Sequence, residues 1–221
     1  MSGTVAIVDY GSGNLRSAAK ALERVAAGCG REVRVVVTAE AREVARAERI
    51  VLPGQGAFGD CSAGLARLPG MLEVLGDAVR RRAVPFLGIC VGMQLLADRG
   101  FEHGVHAGFG WIGGEVLHLR DLARHQGARI LPYPHMGWNA LAIVQPAHPL
   151  LAGVSQGAAV YFVHSYALAA AEGADVIATT DYGAKVAAAV ARGNVAGVQF
   201  HPEKSQEVGL RILGNFLAWR P

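Results

Sequence analysis

Three residues in this chain have the types and spacing for covalent acyl chemistry: a cysteine, a histidine and a glutamate. Gly88-Ile89-Cys90-Val91-Gly92 stands where an apolar run over 84–89 gives way to a helical pattern over 91–98. A nucleophile on such a strand-to-helix elbow sits exposed on a tight turn that the flanking glycines permit. The helix N-terminus behind it favours a thiolate and offers N–H groups to an oxyanion. Taken alone, the pentapeptide fits a buried core cysteine equally well. His201-Pro202-Glu203 follows the apolar run Gly197-Val198-Gln199-Phe200. In extended geometry its first and third side chains point the same way, so Glu203 can orient the His201 imidazole as a triad acid does. Taken alone, it reads first as a strand exit with an acidic residue near a helix start. Together with the elbow it reads as a base and its orienter, and the acid following the histidine argues against an α/β-hydrolase order. Pro53-Gly54-Gln55-Gly56, after another apolar run, supplies a third part, because glycines on both sides of Gln55 let its backbone N–H groups face the site and let a peptide turn over.

Other candidates are weaker. Gly11-Ser12-Gly13-Asn14-Leu15-Arg16 has two glycines of a dinucleotide fingerprint, but Arg16 where the third should stand. His103 and His106 are three apart without a thiol or carboxylate completing a set, so a surface loop is expected and no metal or cofactor. The other histidines, His118, His125, His135, His148 and His164, have no metal spacing. Cys29, Cys61 and Cys90 form no CxxC pair and no disulfide framework, so each is read as a free thiol.

Positioning these residues takes a parallel sheet. The first hundred residues alternate β-branched runs with amphipathic stretches, which predicts strands over 4–9, 33–37, 49–52 and 84–89. Helices are expected over 14–27, 40–47, 71–82 and 91–98. Beyond residue 113 strands dominate, over 114–118, 141–144, 159–163 and 175–179. A hairpin over 186–200 turns at Arg192-Gly193-Asn194, and a last helix covers 206–219. The expected fold class is α/β: a single three-layer domain spanning residues 1–221, with a central mixed, largely parallel sheet flanked by helices.

Composition agrees with that and removes other classes. The chain has 221 residues, enough for one domain or at most two. Lys and Arg number 21 against 18 Asp and Glu, a net charge of +3 without a basic block, so nucleic acid is not an expected partner. The apolar fraction of 52% owes much to 38 alanines. The longest apolar stretch, 83–97, is interrupted by Pro85, Gly88, Gly92 and Gln94 and is too short for a bilayer, and residues 1–10 have no signal-peptide pattern. A cytoplasmic protein without a membrane partner is expected.

The segments Pro53-Gly54-Gln55-Gly56-Ala57-Phe58, Gly88-Ile89-Cys90-Val91-Gly92-Met93-Gln94 and His201-Pro202-Glu203-Lys204-Ser205 together resemble the class I, or triad, glutamine amidotransferases. Within that class, Ile7-Val8-Asp9-Tyr10-Gly11-Ser12-Gly13-Asn14-Leu15, His135-Met136-Gly137-Trp138-Asn139 and Tyr161-Phe162-Val163-His164-Ser165-Tyr166 are similar to the glutaminase subunits of imidazole glycerol phosphate synthases. The resemblance runs nearly end to end. It implies hydrolysis of L-glutamine to glutamate and ammonia, and delivery of the ammonia to a (βα)8-barrel cyclase partner in a histidine-biosynthesis heterodimer. It also implies Cys90 as nucleophile, His201 as general base and acid and Glu203 as orienter. Backbone at Gly54, Gln55 and Val91 would form the oxyanion hole, and Gly56, Gln94, Ser165 and Tyr166 would bind glutamine. Trp138, Asn139 and Tyr161 are interface candidates, because aromatics anchor interfaces; Trp138 beside a glycine turn is otherwise core packing. The runner-up is the glutaminase subunit of another ammonia-channelling synthase, such as pyridoxal phosphate synthase, which Met136-Gly137-Trp138-Asn139 disfavours. A non-catalytic module of the same fold is disfavoured by the intact Cys90, His201 and Glu203. The stretch 121–133 departs from the family pattern and is read as a longer loop. An unregulated glutaminase wastes substrate, so the Gly54-Gln55-Gly56 peptide is the expected switch, its N–H turned away until a partner binds.

Overall fold

The computed structural model describes residues 3–28 and 33–221; Cys29 lies outside them. In chain order the elements are β1 (Gly3–Val8), α1 (Leu15–Gly28), β2 (Val33–Thr38), α2 (Ala41–Ala45), β3 (Arg49–Gly54), α3 (Phe58–Ala66) and α4 (Met71–Arg80). There follow β4 (Phe86–Cys90), α5 (Val91–Gln94), β5 (Arg99–Gly100), β6 (His106–Ala107), β7 (Gly114–His118) and α6 (Leu119–His125). The last third holds β8 (His135–Ala140), β9 (Ala142–Ile143), β10 (Ala159–His164), β11 (Tyr166–Ala170), β12 (Val176–Tyr182), β13 (Ala184–Arg192), β14 (Val195–Val198) and α7 (Gln206–Ala218). None of the described helices is long and apolar enough to cross a membrane.

Eight strands form one sheet in the order β2-β1-β3-β4-β14-β13-β12-β9. The first five are parallel and the last three antiparallel, so the sheet is mixed and largely parallel as expected. β4 and β14 are buried along their whole length, the pattern of strands covered on both faces. Helix α1 packs against α7, while α4 packs against α2 and α3, giving the outer layers. Phe86, Phe200, Phe216, Ile7 and Leu52 fill the core between them without solvent exposure. Two smaller sheets, β10-β8 and β11-β7-β5-β6, cover the end where the parallel strands finish.

The register fixes the site. Gly54 at the end of β3 pairs with Cys90 at the end of β4, and Val198 of β14 pairs with Ile89. The three motifs therefore emerge side by side from the carboxyl ends of three adjacent parallel strands, where open α/β sheets bind ligands.

Several expected elements change. The helix over 91–98 ends at Gln94, because the N–H groups that would continue it go elsewhere: those of Leu96 and Ala97 tighten onto the carbonyls of Met93 at 3.1 Å and Gln94 at 3.0 Å, three residues back, and that of Asp98 donates to Gly114 at 3.0 Å. The stretch 121–133 begins inside helix α6 and is not all loop. β8, β11 and α3 are additions; β8 has Gly137 at φ 131° and no β-branched residue to mark it.

Candidate active site

Cys90 is the last residue of β4 and the cap of α5, with φ 56° and ψ −114°. For a residue with a Cβ this is a strained conformation, the kind that collects at functional sites. The elbow glycines serve close approach more than turning: a Cβ on Gly92 would lie 1.8 Å from the Leu52 carbonyl oxygen, and one on Gly88 would lie 2.4 Å from that of Gly92. Only backbone fits between β3 and the elbow, which brings the Gly54 segment directly against Cys90.

His201 follows β14 and is held by its own N–H, which donates to the Tyr161 carbonyl at 2.9 Å. Its Nδ1 meets Glu203 Oε1 at 2.9 Å, both side chains being buried. Among the described residues, His201 Nε2 and Glu203 Oε2 are the buried side-chain polar atoms without a hydrogen-bond partner. Burial alone disfavours the imidazolium, but Cys90 and Glu203 outweigh it and raise the His201 pKa to about 9. His201 Nε2 makes no hydrogen bond to the Cys90 sulfur in this structure.

Cys90 and His201 share a cavity of about 470 Å³ with Gln55, Gly56, Val91, Gln94, Glu102, Ser165 and Tyr166. That volume suits a ligand the size of an amino acid. The structure thus brings the triad together with all four candidate glutamine-binding residues. Gln94 is buried, and its amide nitrogen is already spent on the Tyr166 carbonyl at 2.9 Å and Gln199 Oε1 at 3.1 Å. Glu102, which sequence reasoning missed, contributes a carboxylate to the wall and accepts the Phe58 N–H of α3 at 2.8 Å. His103 lines the cavity as well, and no metal-holding group of side chains exists among the described residues.

The oxyanion donors are incomplete. Val91 opens α5, so its N–H has no partner within the helix. The Gln55 N–H instead donates to Ser12 Oγ at 3.0 Å, and its carbonyl accepts from Ser12 Oγ and, at 3.4 Å, from Cys61 Sγ. Tyr10 supports the same turn from below by donating to the Pro53 carbonyl at 2.7 Å. The peptide expected to switch is therefore held away from the cavity by Ser12, a residue noted in the sequence only for its glycine neighbours.

Behind the cavity wall, His164 Nδ1 contacts the Tyr166 carbonyl at 2.9 Å and its Nε2 contacts His135 Nδ1 at 3.1 Å. Burial lowers the pKa of His164 to about 3 and of His135 to about 4, so both are neutral at physiological pH. His135 Nε2 meets Asn139 Nδ2 at 3.2 Å. Strand alternation in β8 turns His135 and Asn139 inward and Met136 and Trp138 outward. The Asn139 side chain also bonds the Asp181 carbonyl and the Ala140 N–H, so its polar atoms are engaged within the chain. Trp138 is half exposed, which removes the core-packing reading, and it sits edge-on to Tyr161, its cross-strand partner.

Comparison with known proteins agrees with this geometry. The family model for glutamine amidotransferase class I matches residues 6–219. The imidazole glycerol phosphate synthase subunit HisH of Agrobacterium fabrum is 54% identical over 98% of this chain and 99% of its own length. The HisH of Rhodospirillum rubrum is 52% identical with the same coverage. Among solved structures, a glutamine amidotransferase aligns with TM-score 0.68 at 17% identity, covering 94% of this chain and 95% of that one. A glutamine amidotransferase of Thermotoga maritima aligns with TM-score 0.64 at 16% identity, covering 92% and 77%.

Proposed function

Because the chain belongs to the class I glutamine amidotransferase family, we propose that it is the glutaminase subunit of an imidazole glycerol phosphate synthase, hydrolysing glutamine to glutamate and ammonia for a cyclase partner. Relatives about half identical over their full length carry that name, which weighs against a subunit of pyridoxal phosphate synthase. The observation that carries the chemistry is the buried His201–Glu203 pair with a free Nε2, in one cavity with a strained Cys90.

The division of labour follows from the donors and acceptors. Glu203 accepts the Nδ1 proton of His201 and supports the imidazolium, whose Nε2 holds the proton taken from the thiol. Cys90 Sγ attacks the glutamine side-chain carbonyl carbon, and the developing oxyanion is met by the Val91 N–H and, once its peptide turns, by the Gln55 N–H. His201 Nε2–H protonates the departing amine, releasing ammonia and leaving a glutamyl thioester. A water that gives its proton to Nε2 attacks the thioester, and the products are glutamate and regenerated Cys90. Glu102 is suited to the substrate ammonium group, being the carboxylate in the cavity wall. The cyclase, a (βα)8 barrel, docks on the face that carries Trp138 and Tyr161 and receives the ammonia.

The decisive assay is glutamate release from glutamine by the chain alone and with the cyclase subunit and its ribotide ligand. Strong stimulation in the assembled case is expected. In the complex, Cys90→Ala abolishes glutamine use while free ammonia still supports the cyclase; retained glutaminase turnover would remove Cys90 from the mechanism.

A further inference from the structure

We propose that Gln199 is a further catalytic residue, its side-chain NH2 group donating to the Cys90 thiolate while its oxygen accepts from Gln94. The proposal rests on Cys90 being the nucleophile. Gln199 is fully buried, and its Nε2 lies 3.7 Å from Cys90 Sγ. No motif marked it: it was read only as part of the strand leading to His201.

The direction of every hydrogen bond around it is fixed by one atom that can only accept. The Tyr166 carbonyl oxygen has two neighbours, His164 Nδ1 and Gln94 Nε2, both 2.9 Å away, so both must donate. The second proton of Gln94 Nε2 then goes to Gln199 at 3.1 Å, which must present its oxygen there. Gln199 is left with its NH2 group toward the sulfur, because the flipped amide would set two NH2 groups against each other and a carbonyl against a thiolate. On the other arm, neutral His164 with its proton on Nδ1 offers Nε2 as acceptor, so His135 Nδ1 donates and His135 Nε2 accepts from Asn139. The chain Asn139, His135, His164, Tyr166 carbonyl thus has a single polarity, and the amide pair Gln94 and Gln199 is locked to its end.

A buried donor of fixed orientation is what a thiolate needs once it leaves water, and hydrogen bonds to charged groups are the strong class. The ionisable groups that share the cavity of the sulfur are His201, His164, His103, Glu102 and Tyr166, with Tyr10 beneath it and Glu203 behind His201. Burial holds the Tyr10 phenol and the His164 imidazole neutral, and the Val163 carbonyl 4.0 Å from the sulfur opposes a negative charge, so support for it comes from His201, the N-terminus of α5 and Gln199.

The test is the pH profile of Cys90 alkylation by iodoacetamide in the full chain, followed by mass spectrometry of the Cys90 peptide so that Cys29 and Cys61 do not contribute. In Gln199→Met the profile moves to higher pH by about one unit, and in Gln199→Glu, which puts a carboxylate beside the sulfur, it moves further. Glutaminase kcat in the complex falls in the same order with KM little changed. Folded variants with unshifted profiles overturn the proposal. If both variants fail to fold, the wild-type chain decides: the Gln199 side-chain amide signals shift in 15N NMR as the thiol ionises, and amide signals that do not move overturn it. A diazoketone analogue of glutamine separates the two failures. A wild-type chain unlabelled at Cys90 in the complex removes the nucleophile and the proposal together, whereas a labelled chain with unshifted variants removes only the role of Gln199.

Discussion

The proton chemistry of His201 depends on a carboxylate two residues away, and that dependence has a sign. Its pKa in the folded chain is about 9, above the ordinary value near 6.5. The stabilisation gained by holding the imidazolium beside Glu203 is therefore fully present below pH 6.5 and is lost as pH rises through 9. Glu203→Gln is expected to destabilise the chain most at pH 6 and progressively less toward pH 10, which denaturant unfolding at the two ends of that range measures. Glutaminase kcat in the complex should fall by about 10³ to 10⁴, the scale of losing a triad carboxylate. An equal loss of stability at both pH values would mean that Glu203 is only a packing residue. At this scale the triad was legible because its residue types sit at short, recognisable spacings. Gln199, Glu102 and Ser12 were not: their significance comes from Cys90, Phe58 and Gln55, partners that only the folded chain brings near.

Among the elements, the end of β3 carries the peptide proposed to switch. Ser12, in the turn after β1, binds both the N–H and the carbonyl of Gln55, and two such bonds at about 0.5–1.5 kcal/mol each favour the turned-away peptide. Ser12→Ala is expected to raise glutamate release by the free chain on the order of tenfold, and to shrink the stimulation by the partner correspondingly. Unchanged basal turnover would show that the peptide is held by something else. The parallel strands were readable because each is a short apolar run, β-branched in β1 and β2, and closed by proline and glycine in β3. The helix after Cys90 is shorter than its sequence pattern because nothing local reveals that the Asp98 N–H is claimed by the distant Gly114 carbonyl. β8 was invisible as a strand because its pairing with β10, and not its own propensity, makes it one.

For the molecule as a whole, one face is left apolar. Met136 is 62% and Trp138 50% exposed on the outer side of β8, next to Tyr161, and the carbonyl of that same Tyr161 holds the His201 N–H. Trp138→Ala is expected to weaken assembly with the cyclase by about 2 kcal/mol, the scale of an interface anchor, with little loss of fold stability. Calorimetric titration checks the first and thermal unfolding the second; full-strength assembly would place the interface elsewhere. Because β10 joins the outer face to the catalytic histidine, a partner seated there pushes on a strand that already holds the base.

The position of β14 has a consequence for how this enzyme comes into being. That strand lies in the middle of the large sheet, between β4 and β13, yet it is among the last to be synthesised. While the ribosome works through the second half of the chain, β4 has an open edge and Cys90 has neither its base nor the amide of Gln199. Pairings between such distant segments also form slowly. A chain that ends before β14 therefore holds Cys90 without His201, Glu203 or Gln199, the groups proposed to make it reactive.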